Sequence, residues 1–322
     1  MNPPSLDEIR IACKAVARSA TFVRIHEERI ASYADSLKKA HGAPPALDPA
    51  CHYLGRGEDT VSYLLTLNAV NFGSGYFPHL RKRPGMSGYF TVASSLNDHY
   101  REHGPLAAEA LTRLRPEDCA SIFGQEASRG PAGELMSLFA RALNDLGAFV
   151  LRDFDGRFVD LIEAAGDSAE RLVGILSEMP FFNDVGHYGP LRVPFFKRAQ
   201  ITAADLSLAF GGDGWGRFGD LDRLTMFADN LVPHVLRIDG ILAYDPELAS
   251  RIDREELIPA HSPEEIEIRA CAVHAVERMV QALRDKGENA TAMFLDYLLW
   301  NRGQDPYFKN IAPRHRTRTV FY

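Results

Sequence analysis

The chain has 322 residues, 46% of them hydrophobic and 25% charged, with a formal net charge of −7. A chain of this length buries a core without disulfide or metal staples, and the acidic balance excludes a protein that grips long nucleic acid over its whole surface. It opens MNPPSLDEIR, with no basic and then apolar leader, and no run of about 18 apolar residues occurs after it, so a soluble, cytoplasmic protein with no membrane partner is expected.

Helical periodicity dominates. Residues 5–18 (SLDEIRIACKAVAR) begin with Ser5 as an N-cap and Glu8 three positions on, the capping-box pattern. Apolar residues then recur at helical spacing through Ile9, Cys13 and Val16. Similar signals cover roughly 26–40, 58–70, 106–123, 132–146, 168–178, 195–210, 263–285 and 289–302. Clusters such as HGAPPALDP (41–49) and KRPGMSGY (82–89) separate them. Strand signals are few: HYGPLRVPFF (187–196) reads as a short hairpin and the terminal RTRTVFY as an edge strand. No repeat or long polar linker is visible. The expectation is one mainly α domain over 1–322 with a few short strands, residues 1–130 forming an N-terminal helical layer and pocket wall and 131–322 the catalytic half.

Familiar motifs are absent or misleading. GWGRFG (214–219) matches G-x-G-x-x-G, but a helical pattern precedes it where a dinucleotide site needs a strand. A glycine-rich loop is the expected structure. Cys13, Cys51, Cys119 and Cys271 lack metal-like spacing and read as core residues, and the eleven histidines are dispersed. No metal site is expected.

Several polar residues sit where they cost something. Asp296 in TAMFLDYLLW has only apolar helical neighbours, Ala292, Met293, Leu299 and Trp300. It is either a structural acid bonded nearby or a pocket acid reaching a ligand. Asp229 in LTMFADNLVPHVL, or Asn230, is a natural N-cap for a helix through LVPHVLRI, with Pro233 in its first turn. The preceding DLDRLTMF also looks helical, giving helix, turn, helix with an acid at the turn. In PFFKRAQ, Lys197 and Arg198 come directly after Phe195 and Phe196, which suits a nucleobase and its phosphate but also a snorkelling lysine at a helix start. Arg269 lies in line with Val273 and Val276 and needs an acid partner, for which Asp296, Asp229 and Glu265 are candidates. The tail PRHRTRTVFY, taken as a strand, turns Arg316 and Arg318 to one face, where they could fork a phosphate, and Thr317 and Thr319 to the other. NAVNFGSGYFPHLRK and GYFTVASSL read as a lid or pocket wall. His52 precedes a helix start as a loop residue or a ligand contact.

Five ordered blocks, FFKRAQIT, DLDRLTMFADNLVPHVL, EIEIRACAVHAVE, LDYLLWNRG and RHRTRTVFY, resemble the queuosine salvage family, whose members are queuosine 5′-phosphate N-glycosidases that release the base queuine. NFGSGYF (71–77) departs from the more aromatic animal-type pattern. The resemblance implies a helical DNA-glycosylase-like fold and hydrolysis of queuosine 5′-monophosphate, with no metal, redox cofactor or stable nucleic-acid partner. It places Asp229 as the essential acid. Phe227, Asp229 and Asp296 are expected to line the queuine site, with His52 contributing, and Lys197 to lie close to the sugar or phosphate. Asp296 is also a candidate to recognise queuine's cationic amine. The alternatives are a nucleic-acid glycosylase and a non-catalytic nucleotide-binding protein.

Overall fold

The computed structural model describes residues 5–39, 45–127 and 130–322. Residues 1–4 of the opening stretch, the end of the expected 26–40 helix at 40, and 41–44 of HGAPPALDP lie outside them, as do 128–129. In chain order the elements are α1 (Leu6–Ser19), β1 (Val23–Ile25), α2 (Glu27–Lys39), α3 (Glu58–Ala69), α4 (Gly88–His103), α5 (Ala108–Leu111), α6 (Pro116–Ile122) and α7 (Pro131–Phe154). Then come α8 (Phe158–Ala164), α9 (Ala169–Leu176), β2 (Val185–Tyr188), β3 (Leu191–Pro194), α10 (Lys197–Phe210), α11 (Leu231–Ile238), β4 (Leu242–Tyr244), α12 (Pro246–Asp253), α13 (Pro263–Arg284), α14 (Ala292–Arg302) and α15 (Pro306–Asn310). The fold is mainly α; among the described residues the strands form two antiparallel pairs, β1 with β4 and β2 with β3. No helix of the described residues is long and apolar enough to cross a membrane.

The chain forms two compact units, each discontinuous in sequence. The first holds the described residues of 1–45 together with 184–197 and 222–318. Its axis is α13, which packs against α1, α2, α11, α14, β1 and β2. The Ser262 hydroxyl accepts the Glu265 N–H at 3.3 Å, and Pro263 occupies the first turn where no donor is missed. Because α13 is buried nearly all round, the charges it carries must be satisfied internally. Glu267 shows how. Its carboxylate accepts the N–H groups of Thr21, Phe22 and Val23 at 3.0, 2.6 and 3.0 Å and the Tyr188 hydroxyl at 2.7 Å, tying β1 and the β2–β3 hairpin to one helix. The hairpin pairs Val185 with Pro194 and Tyr188 with Leu191, in agreement with the expectation for HYGPLRVPFF.

The second unit holds 46–183, 198–221 and 319–322. Here α7 packs against α3, α5, α6 and α8. The expected single helix over 106–123 is two, α5 and α6, because Pro116 starts a new helix instead of continuing the old one. GYFTVASSL is not a lid: it is the first half of α4, capped by the Ser87 hydroxyl, with residues 91–96 all buried. Small polar residues such as Thr91, Ser94 and Ser95 fill the buried face, which hides the apolar stripe from periodicity. GWGRFG is a loop with a 3-10 turn at Gly214–Gly216 that comes after α10, and a Cβ at Gly216 would stand 2.5 Å from the Leu206 carbonyl. Its glycine serves close packing.

Arg198 braces this unit. Its guanidinium donates to the carbonyls of Asn68, Ala69 and Val320 at 2.9, 2.7 and 2.8 Å, and to that of Phe181, while lying over the rings of Phe72 and Phe182. Arg198, singled out in PFFKRAQ, is thus an internal clamp on the chain's last residues, and the rings it stacks on are Phe72 and Phe182 rather than its sequence neighbours Phe195 and Phe196.

Candidate active site

In the first unit, residues 224–229 run without regular structure from a 3-10 turn at Leu221–Arg223 into α11. DLDRLTMF is therefore not the helix expected before the turn. Asp229 does cap α11: its Oδ1 accepts the N–H groups of Leu231 and Val232 at 2.8 and 3.0 Å. Asn230 holds the formal N-cap position but points elsewhere, its Nδ2 donating to the His315 carbonyl at 3.1 Å. Asp229 is half-buried, and among the described residues no hydrogen bond reaches its Oδ2. One carboxylate oxygen thus fixes the group in place.

Asp296, on α14, is buried, and its Oδ1 accepts the Phe227 N–H at 2.9 Å. Phe227 is half-buried, two residues before Asp229. Burial, and then the Asp229 charge, push the Asp296 carboxyl well above the usual carboxylate range; the Phe227 N–H and the Lys197 charge oppose them. Asp229, Asp296 and Lys197 thus share one electrostatic neighbourhood. An acid in this state keeps its proton at pH values where an exposed aspartate has lost it.

Lys197 is the buried first residue of α10. Its backbone N–H donates to Asp184 Oδ2 at 3.3 Å, and the Asp184 carbonyl accepts from Phe195 and Phe196 at 2.9 and 3.3 Å. Phe196 is buried with φ 46°, a left-handed backbone that costs a non-glycine residue about 1–2 kcal/mol. Held this way, the chain turns sharply into Lys197; such strain persists only where the surroundings over-determine it.

Arg269 supplies that surrounding. Its partner is Asp184, at 2.6 and 3.1 Å, with Glu265 Oε1 at 3.4 Å, rather than Asp296 or Asp229. Its Nε donates to the Ala228 carbonyl at 3.0 Å and its guanidinium lies 3.9 Å over the Phe195 ring. One buried ion pair therefore grips the backbone on both sides of the site: beside Lys197 through Asp184, and beside Asp229 through Ala228. Asp184 carried no signal in the sequence.

The tail does not form the expected edge strand, but its burial alternates as expected. His315, Thr317 and Thr319 are buried while Arg314, Arg316 and Arg318 are half-buried. Among the described residues the tail makes one bridge, Arg316 to Leu257, with the Arg316 carbonyl accepting from Ile258 at 2.8 Å. The Arg316 guanidinium pairs with Glu255. Burial lowers the Arg314 pKa, the Asp229 charge raises it again and Arg316 lowers it. Its parity with Arg316 and Arg318 was the available signal for Arg314. His52 belongs to the second unit, where it is buried and bonded to the Asp48 carbonyl and the Tyr89 hydroxyl at 2.9 and 3.0 Å. Burial lowers its pKa, which keeps the ring neutral.

Among the described residues no group of three or more His, Cys, Asp or Glu is disposed to hold a metal. A surface cavity of about 500 Å³ lies elsewhere in the first unit, against β1, β4 and the end of α1, and includes none of these acids.

The family model for queuosine salvage protein matches residues 51–322. The queuosine 5′-phosphate N-glycosylase/hydrolase of Sphaerobacter thermophilus is 39% identical over 96% of each chain. The protein of the same name from Bos taurus is 35% identical over 97% of this chain and 98% of its own, and that from Schizosaccharomyces pombe 34% over 73% and 71%. Asp229, Asp296 and Lys197 all lie within the matched region, and the chain belongs to the queuosine salvage protein family.

Proposed function

We propose that this chain hydrolyses the N-glycosidic bond of queuosine 5′-phosphate and releases queuine for return to tRNA. The carrying observation is the pairing of two carboxyls in unlike states, a half-buried Asp229 with one oxygen unbonded and a buried Asp296 with a raised pKa. The N-glycosylase/hydrolase name shared by relatives matched over nearly the whole chain supports the same reading.

Breaking an N-glycosidic bond develops oxocarbenium charge on the ribose. A carboxylate fixed beside C1′ stabilises that charge or orients the incoming water, and Asp229 is suited to it because its cap leaves Oδ2 available without a rotamer search. Asp296, retaining its proton, can donate a hydrogen bond or the proton itself to the departing base. Queuine is a 7-deazaguanine and lacks the N7 that an ordinary purine would protonate, so the reaction leans on cation stabilisation and on donors to other base atoms. Phe227, between the two acids, offers a ring to the base. Lys197 adds a positive charge on the sugar–phosphate side.

Asp229→Asn tests this assignment, because an amide oxygen can still accept the two cap hydrogen bonds. The variant is expected to bind queuosine 5′-monophosphate, seen by calorimetry, and to release queuine about 100- to 1,000-fold more slowly. Full turnover by the variant would remove Asp229 from the mechanism.

A further inference from the structure

The tail carries three arginines on one side, and they are not equivalent. Arg316 is committed to Glu255 and its backbone to β-bridging with Leu257. Arg314 has, among the described residues, neither a hydrogen-bond acceptor nor an ion-pair carboxylate in reach of its guanidinium. It is nonetheless half-buried and in a fixed place. The Asn230 side chain holds the carbonyl of His315, and Ile258 holds that of Arg316, so the backbone next to Arg314 is fastened to the residue directly after Asp229. His315 and Thr317 turn into the core, which leaves Arg314 on the opposite side of the strand-like tail. Asp229 acts on Arg314 through its charge without pairing with it.

A partly desolvated guanidinium held without an acceptor is a costly arrangement unless an anion arrives. In a nucleoside monophosphate the phosphorus lies five bonds from C1′, within reach of a cation near a C1′-directed acid, and the anionic phosphate attracts a guanidinium that queuine's cationic amine would repel. Arginine's fork matches two phosphate oxygens. We propose that Arg314 is the specificity-determining residue for the 5′-phosphate, receiving it in a bidentate contact and favouring the nucleotide over the free nucleoside. This rests on the glycosidase reading, and among arginines of the same parity it singles out Arg314 over Arg316, whose guanidinium is committed to Glu255.

The test compares kcat/KM for queuosine 5′-monophosphate and for queuosine in the wild-type chain, Arg314→Gln and Arg316→Gln, together with the affinity of each for ribose 5-phosphate. Arg314→Gln is expected to shrink the nucleotide-to-nucleoside ratio about 10- to 100-fold, the usual weight of a charge-assisted contact, and to weaken ribose 5-phosphate binding by a similar factor. An unchanged ratio in Arg314→Gln, an equal loss on both substrates, or a collapse seen instead in Arg316→Gln would overturn the assignment. Absence of queuine release by the wild-type chain would instead sink the glycosidase reading, while the ribose 5-phosphate affinities would still decide the role of Arg314.

Discussion

Arg269 and Asp184 meet in the core of the first unit at 2.6 and 3.1 Å, 85 positions apart in sequence, and each also fastens the backbone beside a proposed catalytic residue. A buried pair of this kind gives little net stability against an apolar pair, but losing one partner strands a charge, at a cost of about 3–5 kcal/mol. Arg269→Met is therefore expected to lower unfolding stability by that amount, measured by urea titration at pH 7. The double variant Arg269→Met, Asp184→Leu should recover part of the stability and none of the activity, since the Ala228 and Lys197 backbone contacts go with the pair. Recovery of both would make the pair a packing feature only.

The Asp229 cap makes a separable claim. Asp229→Ala removes the acceptor for two α11 donors and is expected to cost about 1 kcal/mol, whereas Asp229→Asn keeps that acceptor. Thermal melts should place Asn near wild type and Ala below it, with activity lost in both. Equal destabilisation by the two substitutions would contradict the capping role.

Asp296 sets a pH dependence whose sign is fixed. Its carboxyl is raised in the folded chain, above the roughly 3.9 of an unfolded aspartate. The stability contributed by its bound proton is fully present below about pH 4 and is lost as pH rises through the folded value. Asp296→Asn retains an acceptor for the Phe227 N–H and has no proton to lose. Its Tm relative to wild type is expected to climb between pH 5 and pH 8, while its activity falls. A Tm difference that does not change with pH would show that Asp296 is an ordinary ionised carboxylate.

These residues were unequally legible. The apolar neighbours of Asp296 announced its desolvation, and the composition around Asp229 announced a cap, because both are set by residues a few positions away. The helices α1, α2, α3, α13 and α14 and the β2–β3 hairpin were readable for the same reason. Asp184 was not, since nothing near NDVG signals a partner on a distant helix. The β1–β4 pair was equally hidden: three-residue strands are too short to show an alternation. The helix expected before Asp229 fails because Leu224, Thr225 and Met226 are all buried in a run without regular structure, and local periodicity cannot distinguish that from a helix face.

His315 acts at the other end of the pH scale. It is buried, chiefly desolvated, and further discouraged from protonation by Arg269, His234 and Arg314, so its pKa is lowered to about 3. The stability from keeping it neutral is present above about pH 6.5 and is lost as pH falls through the folded value. Acid destabilisation on the order of a few kcal/mol should result. His315→Gln is expected to flatten the fall in Tm between pH 6.5 and pH 4, and an unaltered slope would assign that fall to carboxylates alone.

The reaction proposed for this chain is cleavage of one bond in one nucleotide. The direct measurement is incubation of the wild-type chain with queuosine 5′-monophosphate, with queuine and ribose 5-phosphate quantified together by chromatography and mass spectrometry. The expected result is enzyme-dependent appearance of both products in equal amounts, slowed about 100- to 1,000-fold in Asp229→Asn. Tight binding of the nucleotide with neither product after long incubation would contradict it and leave a nucleotide-binding protein in its place.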